Sequence, residues 1–274
     1  MTQAPFTLDP VERARLPLIA HIPHSGTHIP RTIRSELLLG DEDLRAEVLR
    51  VTDHFTDRLF ASAAEAGGVR FVNHVSRLVF DPERFRDDAD EVMASRGAGA
   101  IYSTTSDGRN LRSITASRRE EVLVGFFDPY ASAMADAVDE MKRRFGCCLI
   151  LDCHSFPRVP LGWELHLEGA RPQIDVGTDP FHSPADLVTA LTDVCAGEGL
   201  VTSRDHPFTG CYVPMRHYRR DQRTWSVMIE IRRDLYMDES TGAESKGFAS
   251  TAQLVDQMIG RSVQWLEERI NSGR

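Results

Sequence analysis

Histidine and glutamate side chains occur at or near the ends of apolar runs in this sequence, where they could bind a metal or move a proton. Three such runs carry them: His21 and His24 in LPLIAHIPH, His154 in CCLILDCHS, and Glu230 in SVMIEI. Imidazole nitrogens and carboxylate oxygens bind zinc and also serve as general acids and bases. Their recurrence in three runs is hard to ascribe to packing alone and predicts one catalytic or metal-binding site.

The elements that position these side chains are predicted to be buried strands. Short uninterrupted apolar runs are typical of strands buried on both faces, and here they alternate with helical patterns at 40–65 and Thr251–Ile270. This alternation predicts an α/β fold, a three-layer α/β/α sandwich, in one domain spanning 1–274. We expect 1–15 to be a polar entry segment and 97–118 to be a long surface loop. In such sheets, functional side chains gather at the carboxyl ends of the strands.

Composition narrows the class of protein. The chain has 274 residues, 41% hydrophobic and 27% charged, as in a globular protein with a large core. Its net charge of −9 argues against nucleic acid as a partner, and no apolar run approaches the length of a membrane span. The N-terminus lacks the pattern of a signal peptide, and an odd number of cysteines, five, indicates reduced thiols. We therefore expect a cytoplasmic protein; the sequence gives no signal for its oligomeric state.

His24 and His154 are the best candidate metal ligands. Within its loop, His24 is preferred to His21 because Ser25 and Gly26 allow the chain to turn sharply beside it. A catalytic zinc site has three protein ligands and an open position for water. Asp53 is a candidate for the third ligand, although a helix-capping role is an equally good interpretation. Asp152 shares the strand face of His154 and is predicted to orient a ligand.

Glu230 is expected to act as a general acid and base or beside a metal. A carboxylate inside an apolar strand is costly to bury without a partner, which favours a functional role over a structural one. The structural alternative is an ion pair with Arg232 or Arg233. Arg77 and Arg84 form a candidate anion clamp, because guanidinium groups bind carboxylates in bidentate fashion. The alternative for these two is a solvated edge paired with nearby aspartates.

Several blocks of the sequence resemble the N-formylglutamate amidohydrolase (N-formylglutamate deformylase) family, which is related to zinc carboxypeptidases and aspartoacylases. The blocks span most of the chain: HIPHSGTHIP at 21–30, TDH at 52–54, SRLVFDPER at 76–84, DCHS at 152–155 and EIRRDLYM at 230–237. The resemblance implies a mixed, mostly parallel central sheet between layers of helices. It also implies a zinc hydrolase, with one zinc ion per chain, that acts on a small acidic N-acyl amino acid.

Carried over to this sequence, the resemblance makes His24 and His154 zinc ligands and Glu230 the catalytic glutamate. The zinc motif of the aspartoacylases, with an acidic residue three positions after the first histidine, is not matched, and Asp53 is taken as the acidic ligand instead. Two further departures are Glu83, where the aspartoacylases have asparagine, and Cys211, where the family has a second glycine. The first replaces an amide that could contact the substrate with a carboxylate, and the second predicts either an altered pocket or a different acyl-amino-acid substrate.

The resulting hypothesis is zinc-assisted hydrolysis of N-formylglutamate to formate and glutamate, a late step of histidine breakdown. Glu230 transfers the proton, and Arg77 or Arg84 stabilises the oxyanion together with zinc. The other of these two arginines, or Arg216 or Arg219 from a later loop, binds a substrate carboxylate. One alternative is a related amidase for another N-acyl amino acid or small peptide, which assays of the released acid would separate. The other is a non-catalytic carboxylate-binding protein, whose binding would be independent of zinc.

Overall fold

A computed structural model describes residues 4–272 and has a seven-stranded sheet at its centre. The strands are β1 (Phe6–Leu8), β2 (Leu18–Ile22), β3 (Val69–Asn73), β4 (Cys148–Phe156), β5 (Ile174–Gly177), β6 (Thr202–Arg204) and β7 (Thr224–Arg232). They lie in the order β1-β3-β2-β4-β7-β5-β6. Four neighbouring pairs are parallel, while β1 with β3 and β5 with β7 are antiparallel. The sheet is therefore mixed and mostly parallel, as predicted.

Helices cover both faces of this sheet. They are α1 (Arg31–Arg34), α2 (Asp41–Val51), α3 (Thr56–Leu59), α4 (Ser62–Glu65), α5 (Ala116–Val122), α6 (Asp128–Phe145), α7 (Ala185–Gly197) and α8 (Phe248–Asn271). Short 3-10 turns lie at Val11–Arg13, Val92–Arg96 and Arg233–Leu235, and a π-helical turn at Leu123–Phe127 joins α5 to α6. None of the helices in 4–272 is long and apolar enough to cross a membrane.

The central strand β4 shows why an uninterrupted apolar run forms here. Every residue of β4 is buried, and its side chains alternate between two hydrophobic cores. Leu149 and Leu151 pack in the core built with α7 and α8, whereas Cys148 and Ile150 pack in the core built with α6. The three-layer α/β/α arrangement that the sequence predicted is thus confirmed.

The parallel strands β2, β3, β4 and β7 bring their carboxyl ends to the same edge of the sheet. The register places His21 of β2 beside Asp152 of β4, and His154 of β4 beside Glu230 of β7. The polar residues singled out in three distant runs are therefore neighbours at one edge.

The helical region predicted over 40–65 is broken in the structure. After α2, Thr52 takes an extended conformation and Phe55 a left-handed one (φ 65°) before α3 begins. The amide of Asp53 donates to the carbonyl of His24 (3.0 Å) instead of continuing the helix. Asp53 therefore lies outside both α2 and α3.

Two other segments differ from their predictions. The stretch 97–118 is more than a surface loop, because Tyr102 and Leu111 are fully buried in a third core. Its apolar residues have no helical or strand period, so the pattern gave no sign of that burial. The entry segment predicted at 1–15 contains the short edge strand β1, and its first three residues lie outside the described part of the chain.

A core substitution in β4 should destabilise the protein strongly. Leu151→Ala removes a fully buried side chain between two layers and should lower the free energy of unfolding by about 2–5 kcal/mol. The matched control Val201→Ala, at a position 65% exposed, should change it by less than about 0.5 kcal/mol. Urea denaturation measures both, and equal effects would contradict the assignment of β4 to the centre of the fold.

Candidate active site

The rings of His24 and His154 face each other across the carboxyl edge of the sheet. Their Nδ1 atoms lie 3.3 Å apart. Oδ2 of Asp53 is 3.1 Å from Nδ1 of His154 and 3.7 Å from Nδ1 of His24. Two imidazole nitrogens and one carboxylate oxygen from three distant parts of the sequence therefore form a compact triangle, in which all three side chains are almost completely buried.

The loop that carries His24 is fixed by a close backbone approach. A Cβ atom at Gly26 would lie 2.3 Å from the carbonyl carbon of His74, so only glycine fits at this point. This agrees with the sharp turn predicted beside His24. The break after α2 brings Asp53 to the same place, and its side chain points into the site and does not cap α3. Of the two interpretations left open for Asp53, the structure is incompatible with the cap.

The other nitrogen of each imidazole is paired with a buried carboxylate. Nε2 of His24 lies 2.8 Å from Oδ1 of Asp81, and Nε2 of His154 lies 3.1 Å from Oδ1 of Asp152. When Nε2 carries the proton and donates it to the carboxylate, the lone pair of Nδ1 is left for a metal. The orienting role predicted for Asp152 agrees with this contact.

These orienting carboxylates have partners of their own. Asp81 accepts hydrogen bonds from the Tyr102 hydroxyl (2.7 Å) and from Nη2 of Arg77 (2.9 Å). Burial opposes ionisation of Asp81, but the charges of His24, Arg77 and Arg84 outweigh it and hold its pKa well below the ordinary value. Asp81 is therefore an anion that can stabilise a proton on the imidazole beside it.

Asp152 is held in a similar way. Its Oδ1 lies 2.9 Å from Nδ1 of His21, and its Oδ2 accepts from the backbone amide of Tyr212 (2.7 Å). His21 contacts the hydroxyl of Tyr130 (2.8 Å) through its other nitrogen. His21 thus supports the site from behind, which agrees with the preference for His24 as the ligand.

Asp53 is anchored by an arginine that the sequence offered only as a partner for Glu230. Nη2 of Arg233 donates to Oδ1 of Asp53 (2.8 Å), and the amide of Ser155 donates to its Oδ2 (3.2 Å). Burial raises the pKa of Asp53, but hydrogen bonds from His154 and His24 and the charge of Arg233 hold it well below the ordinary value. The signal for Arg233 was its place just after the strand that carries Glu230.

Glu83 is a second acidic side chain at the triangle, and sequence reasoning missed it as a ligand. Its Oε1 lies 3.0 Å from Nε2 of His154, and its Oε2 lies 3.8 Å from Nδ1 of His24. Burial and the nearby charge of Asp152 raise the pKa of Glu83. The sequence did contain a signal for this role of Glu83. The resemblance to the aspartoacylases implies asparagine at this position, and the change to glutamate places a carboxylate there.

Glu230 lies beside His154 on the neighbouring strand and is only 6% exposed. Within the described residues, its Oε2 has no hydrogen-bond partner. Burial raises the pKa of Glu230 well above the ordinary value, and the charges of Asp53 and Asp175 add to the rise. The predicted alternative, an ion pair with Arg232 or Arg233, is not formed among the described residues, since Arg232 binds Asp234 (2.7 Å) and Arg233 binds Asp53 (2.8 Å).

The predicted arginines divide into two groups. Arg77 and Arg84 reach the site, where their nitrogens lie 2.9 Å and 3.6 Å from Oδ2 of Asp81. The other two arginines, Arg216 and Arg219, which the sequence assigned to substrate carboxylates, instead pair with carboxylates outside the site, and both side chains are about half exposed. Arg216 contacts Asp136 (2.7 Å) and Asp139, and Arg219 contacts Asp179 (3.2 Å). Their loop is rich in charge, but acidic side chains nearby neutralise it.

The triangle fits a divalent metal ion in both size and donor type. Ligands about 2.0–2.1 Å from a tetrahedral ion lie about 3.3 Å from one another, close to the three separations at His24, His154 and Asp53. Two imidazole nitrogens with one carboxylate oxygen form a donor set found in catalytic zinc sites. His24, Glu83 and His154 form a second possible group, because their ligand atoms also lie within 4.8 Å of one another.

Comparison with known proteins identifies the class. A family model described as N-formylglutamate amidohydrolase matches residues 16–237. An N-formylglutamate deformylase of Pseudomonas aeruginosa is 29% identical over 269 residues, covering 94% of this chain and 97% of the relative. One of Pseudomonas putida is 25% identical over 272 residues, covering 94% and 96%. The protein is thus a hydrolase that acts on an amide bond. The chain belongs to the N-formylglutamate amidohydrolase family.

Solved structures share the fold. An N-formylglutamate amidohydrolase from Ralstonia eutropha JMP134 superposes with a TM-score of 0.82 at 25% identity, covering 97% of this chain and 99% of that one. A gene product of Agrobacterium tumefaciens superposes with a TM-score of 0.72 at 17% identity, covering 97% of each chain. The first agrees with the family assignment, and the second supports the fold alone.

The buried pair of Arg233 and Asp53 should be costly to break. Arg233→Met leaves the Asp53 carboxylate without its arginine in a dry site and should lower the free energy of unfolding by about 3–5 kcal/mol. Adding Asp53→Asn removes the stranded charge and should restore part of that loss. Arg216→Met, at an exposed ion pair, is the control and should cost about 1 kcal/mol or less. Urea denaturation in the presence of a chelator measures all three, and equal losses for both single variants would contradict the assignment.

Proposed function

We propose that this protein is a zinc-dependent deformylase that hydrolyses N-formylglutamate to formate and glutamate. The observation that carries the proposal is the triangle of His24, His154 and Asp53. On the adjacent strand, Glu230 has a carboxylate oxygen without a hydrogen-bond partner among residues 4–272. The named activity of the two Pseudomonas relatives supports the choice of substrate.

His24, Asp53 and His154 are the residues that would hold the zinc ion, one per chain. When bound, zinc lowers the pKa of a water molecule toward neutrality and polarises the amide carbonyl. Asp81 and Asp152 keep the two imidazoles in the orientation and tautomer that ligation requires. Glu83 is an alternative acidic ligand in a different arrangement, because its carboxylate lies near Nδ1 of His24 and Nε2 of His154.

Glu230 is the residue that moves the proton. Burial raises its pKa well above that of an ordinary carboxyl group and makes it a stronger base, which suits a group that first accepts and then donates a proton. It takes a proton from the attacking water and delivers it to the nitrogen of the leaving amine. The carbon–nitrogen bond breaks, the hydroxyl oxygen remains with formate, and the amine nitrogen leaves with glutamate.

Arg77 and Arg84 supply positive charge beside Asp81. Arg77 is assigned to the oxyanion that develops on the carbonyl oxygen, and Arg84 to a carboxylate of the substrate. The Nε atoms of both are buried and have no hydrogen-bond partner among the described residues, so each has a donor left for a ligand. Both side chains remain slightly exposed, Arg77 at 14% and Arg84 at 25%.

The cellular setting follows from the same proposal. All five cysteines are free thiols in the described part of the chain, which supports a reducing compartment, the cytoplasm. Release of glutamate and formate from N-formylglutamate is a step of histidine breakdown, and we assign the protein to that degradation.

Metal removal should abolish the activity. Purified protein should contain about one zinc per chain, and dialysis against a chelator should remove both the zinc and formate release, which added zinc restores. His24→Ala should lower the zinc content, whereas His166→Ala, at an exposed histidine, should leave it unchanged. Elemental analysis and a formate assay are the measurements. Full formate release by metal-free protein would rule the mechanism out.

Substitution of Glu230 should separate catalysis from metal binding. Glu230→Gln removes the proton acceptor but keeps the shape of the side chain, so kcat should fall by about 10²–10⁴-fold while zinc remains bound. Glu198→Gln, at an exposed position, is the matched control and should keep full activity. Formate release from N-formylglutamate, compared with acetate and succinate release from the corresponding acyl glutamates, measures both activity and preference. Undiminished activity of Glu230→Gln would exclude this residue from proton transfer.

A further inference from the structure

Arg171 has a buried guanidinium with one edge unused. Its side chain is only 6% exposed, and its Nη1 donates to Oε2 of Glu164 (2.6 Å). Nε and Nη2 have no hydrogen-bond partner among residues 4–272. Buried donors without partners are uncommon because they lose their hydrogen bonds to water without replacement. We therefore expect the unused edge of Arg171 to bind a ligand.

The unused edge is the one that binds carboxylates side-on. The N–H bonds of Nε and Nη2 lie in the guanidinium plane and point in parallel from one edge of the group, so they match the two oxygens of a carboxylate. Elsewhere among residues 4–272 the same two atoms contact one carboxylate group in several ion pairs, among them Arg70 with Asp9, Arg86 with Asp128, Arg143 with Glu140, Arg223 with Asp221, and Arg232 with Asp234. The chemistry of the missing partner of Arg171 is therefore that of a carboxylate.

Two phenylalanine rings hold this guanidinium in place. The central carbon of the Arg171 guanidinium lies 4.8 Å from the ring centre of Phe156 and 5.4 Å from that of Phe208. Cation–π contact and the ion pair with Glu164 fix the plane of the group before any ligand arrives. The apolar rings also lower the local dielectric, which strengthens attraction to an anion.

The position of Arg171 relative to His154 indicates which carboxylate fits. Phe156 follows His154 by two residues on β4, so both side chains lie on the same face of the sheet. Two residues of a strand span about 7 Å. In N-formylglutamate, the side-chain carboxyl carbon is two carbons farther from the formyl carbon than the α-carboxyl carbon is. The more distant carboxylate therefore matches an arginine stacked on Phe156.

We propose that Arg171 is a specificity-determining residue that binds the side-chain carboxylate of the N-acyl glutamate substrate. The inference rests on the proposed function, which places the scissile amide at His24 and His154. Since Nε and Nη2 have almost no contact with solvent, the carboxylate reaches them when one of the loops that carry Glu164 and Phe208 moves outward. Selectivity arises because a substrate with an uncharged side chain leaves the Nε–Nη2 edge of the buried guanidinium without a carboxylate partner.

The test compares two substrates that differ only at the side-chain carboxylate, N-formylglutamate and N-formylglutamine. In Arg171→Gln, kcat/KM for N-formylglutamate should fall about 100-fold, while that for N-formylglutamine should change by less than about threefold. Arg171→Lys keeps the charge but loses the fork, so its ratio should lie between those of the wild type and Arg171→Gln. Arg158→Gln, on the same loop and 71% exposed, is the control and should keep the wild-type ratio.

If Arg171→Gln only damages the structure, both substrates should lose kcat/KM equally. Loss of Arg171 also strands Glu164, so the double variant Arg171→Gln with Glu164→Gln provides a folded, uncharged pair for comparison. If both substrates lose kcat/KM equally in the single and double variants, Arg171 is only a structural residue and the inference is overturned. An unchanged preference for N-formylglutamate in a folded Arg171→Gln protein would overturn it as well.

Equilibrium binding separates this inference from the proposed function. Isothermal titration of the Glu230→Gln protein, with and without Arg171→Gln, gives dissociation constants for both compounds without turnover. If wild-type protein releases no formate but binding still discriminates between the two compounds through Arg171, the proposed function fails and the carboxylate site stands. If formate is released and binding does not depend on Arg171, the proposed function stands and the carboxylate site is rejected.

Discussion

The pairing of each site imidazole with a buried carboxylate is the interaction on which the rest of the site depends. Asp81 holds His24 and Asp152 holds His154, each through Nε2, so the two Nδ1 atoms turn toward each other. Without these anions the rings could rotate or carry the proton on the inward nitrogen, and the triangle with Asp53 would lose its ligand geometry. The arginines, tyrosine and backbone amide around the two aspartates keep them ionised in a dry environment, where a lone charge would be unstable.

The central strands of the sheet contribute both to the hydrophobic cores and to the candidate active site. The inner half of β4 alternates between two hydrophobic cores, and the same strand then presents His154 at its carboxyl edge. A side chain on a central strand is held more firmly than one on a loop, because neighbours on both sides restrict it. Glu230 gains the same rigidity from β7, so its distance from His154 is set by the register of two paired strands. His24 and Asp53, in contrast, depend on the close approach at Gly26 and on the break after α2.

The sequence alone predicted the three layers of the fold and the polar residues that lie within buried apolar strands. His154 and Glu230 interrupt apolar strands, so period and composition alone marked them. Asp53 could not be settled in advance, because the break after Thr52 depends on a hydrogen bond to the His24 carbonyl, a contact distant in sequence. The partners of Arg216 and Arg233 could not be predicted from the sequence either. Both lie in charged stretches, and only the folded chain shows that one arginine meets surface aspartates while the other anchors Asp53.

The burial of Tyr102 links a long irregular segment to the geometry of one imidazole. The phenol donates to Asp81, and Asp81 in turn orients His24, so two hydrogen bonds join 97–118 to the reacting atoms. Segments without regular structure usually tolerate insertions and deletions well. Here a deletion that withdraws Tyr102 would free Asp81 from one of its donors. Engineers who shorten or graft this segment should therefore expect changes in turnover, even though no residue of it is assigned to the chemistry.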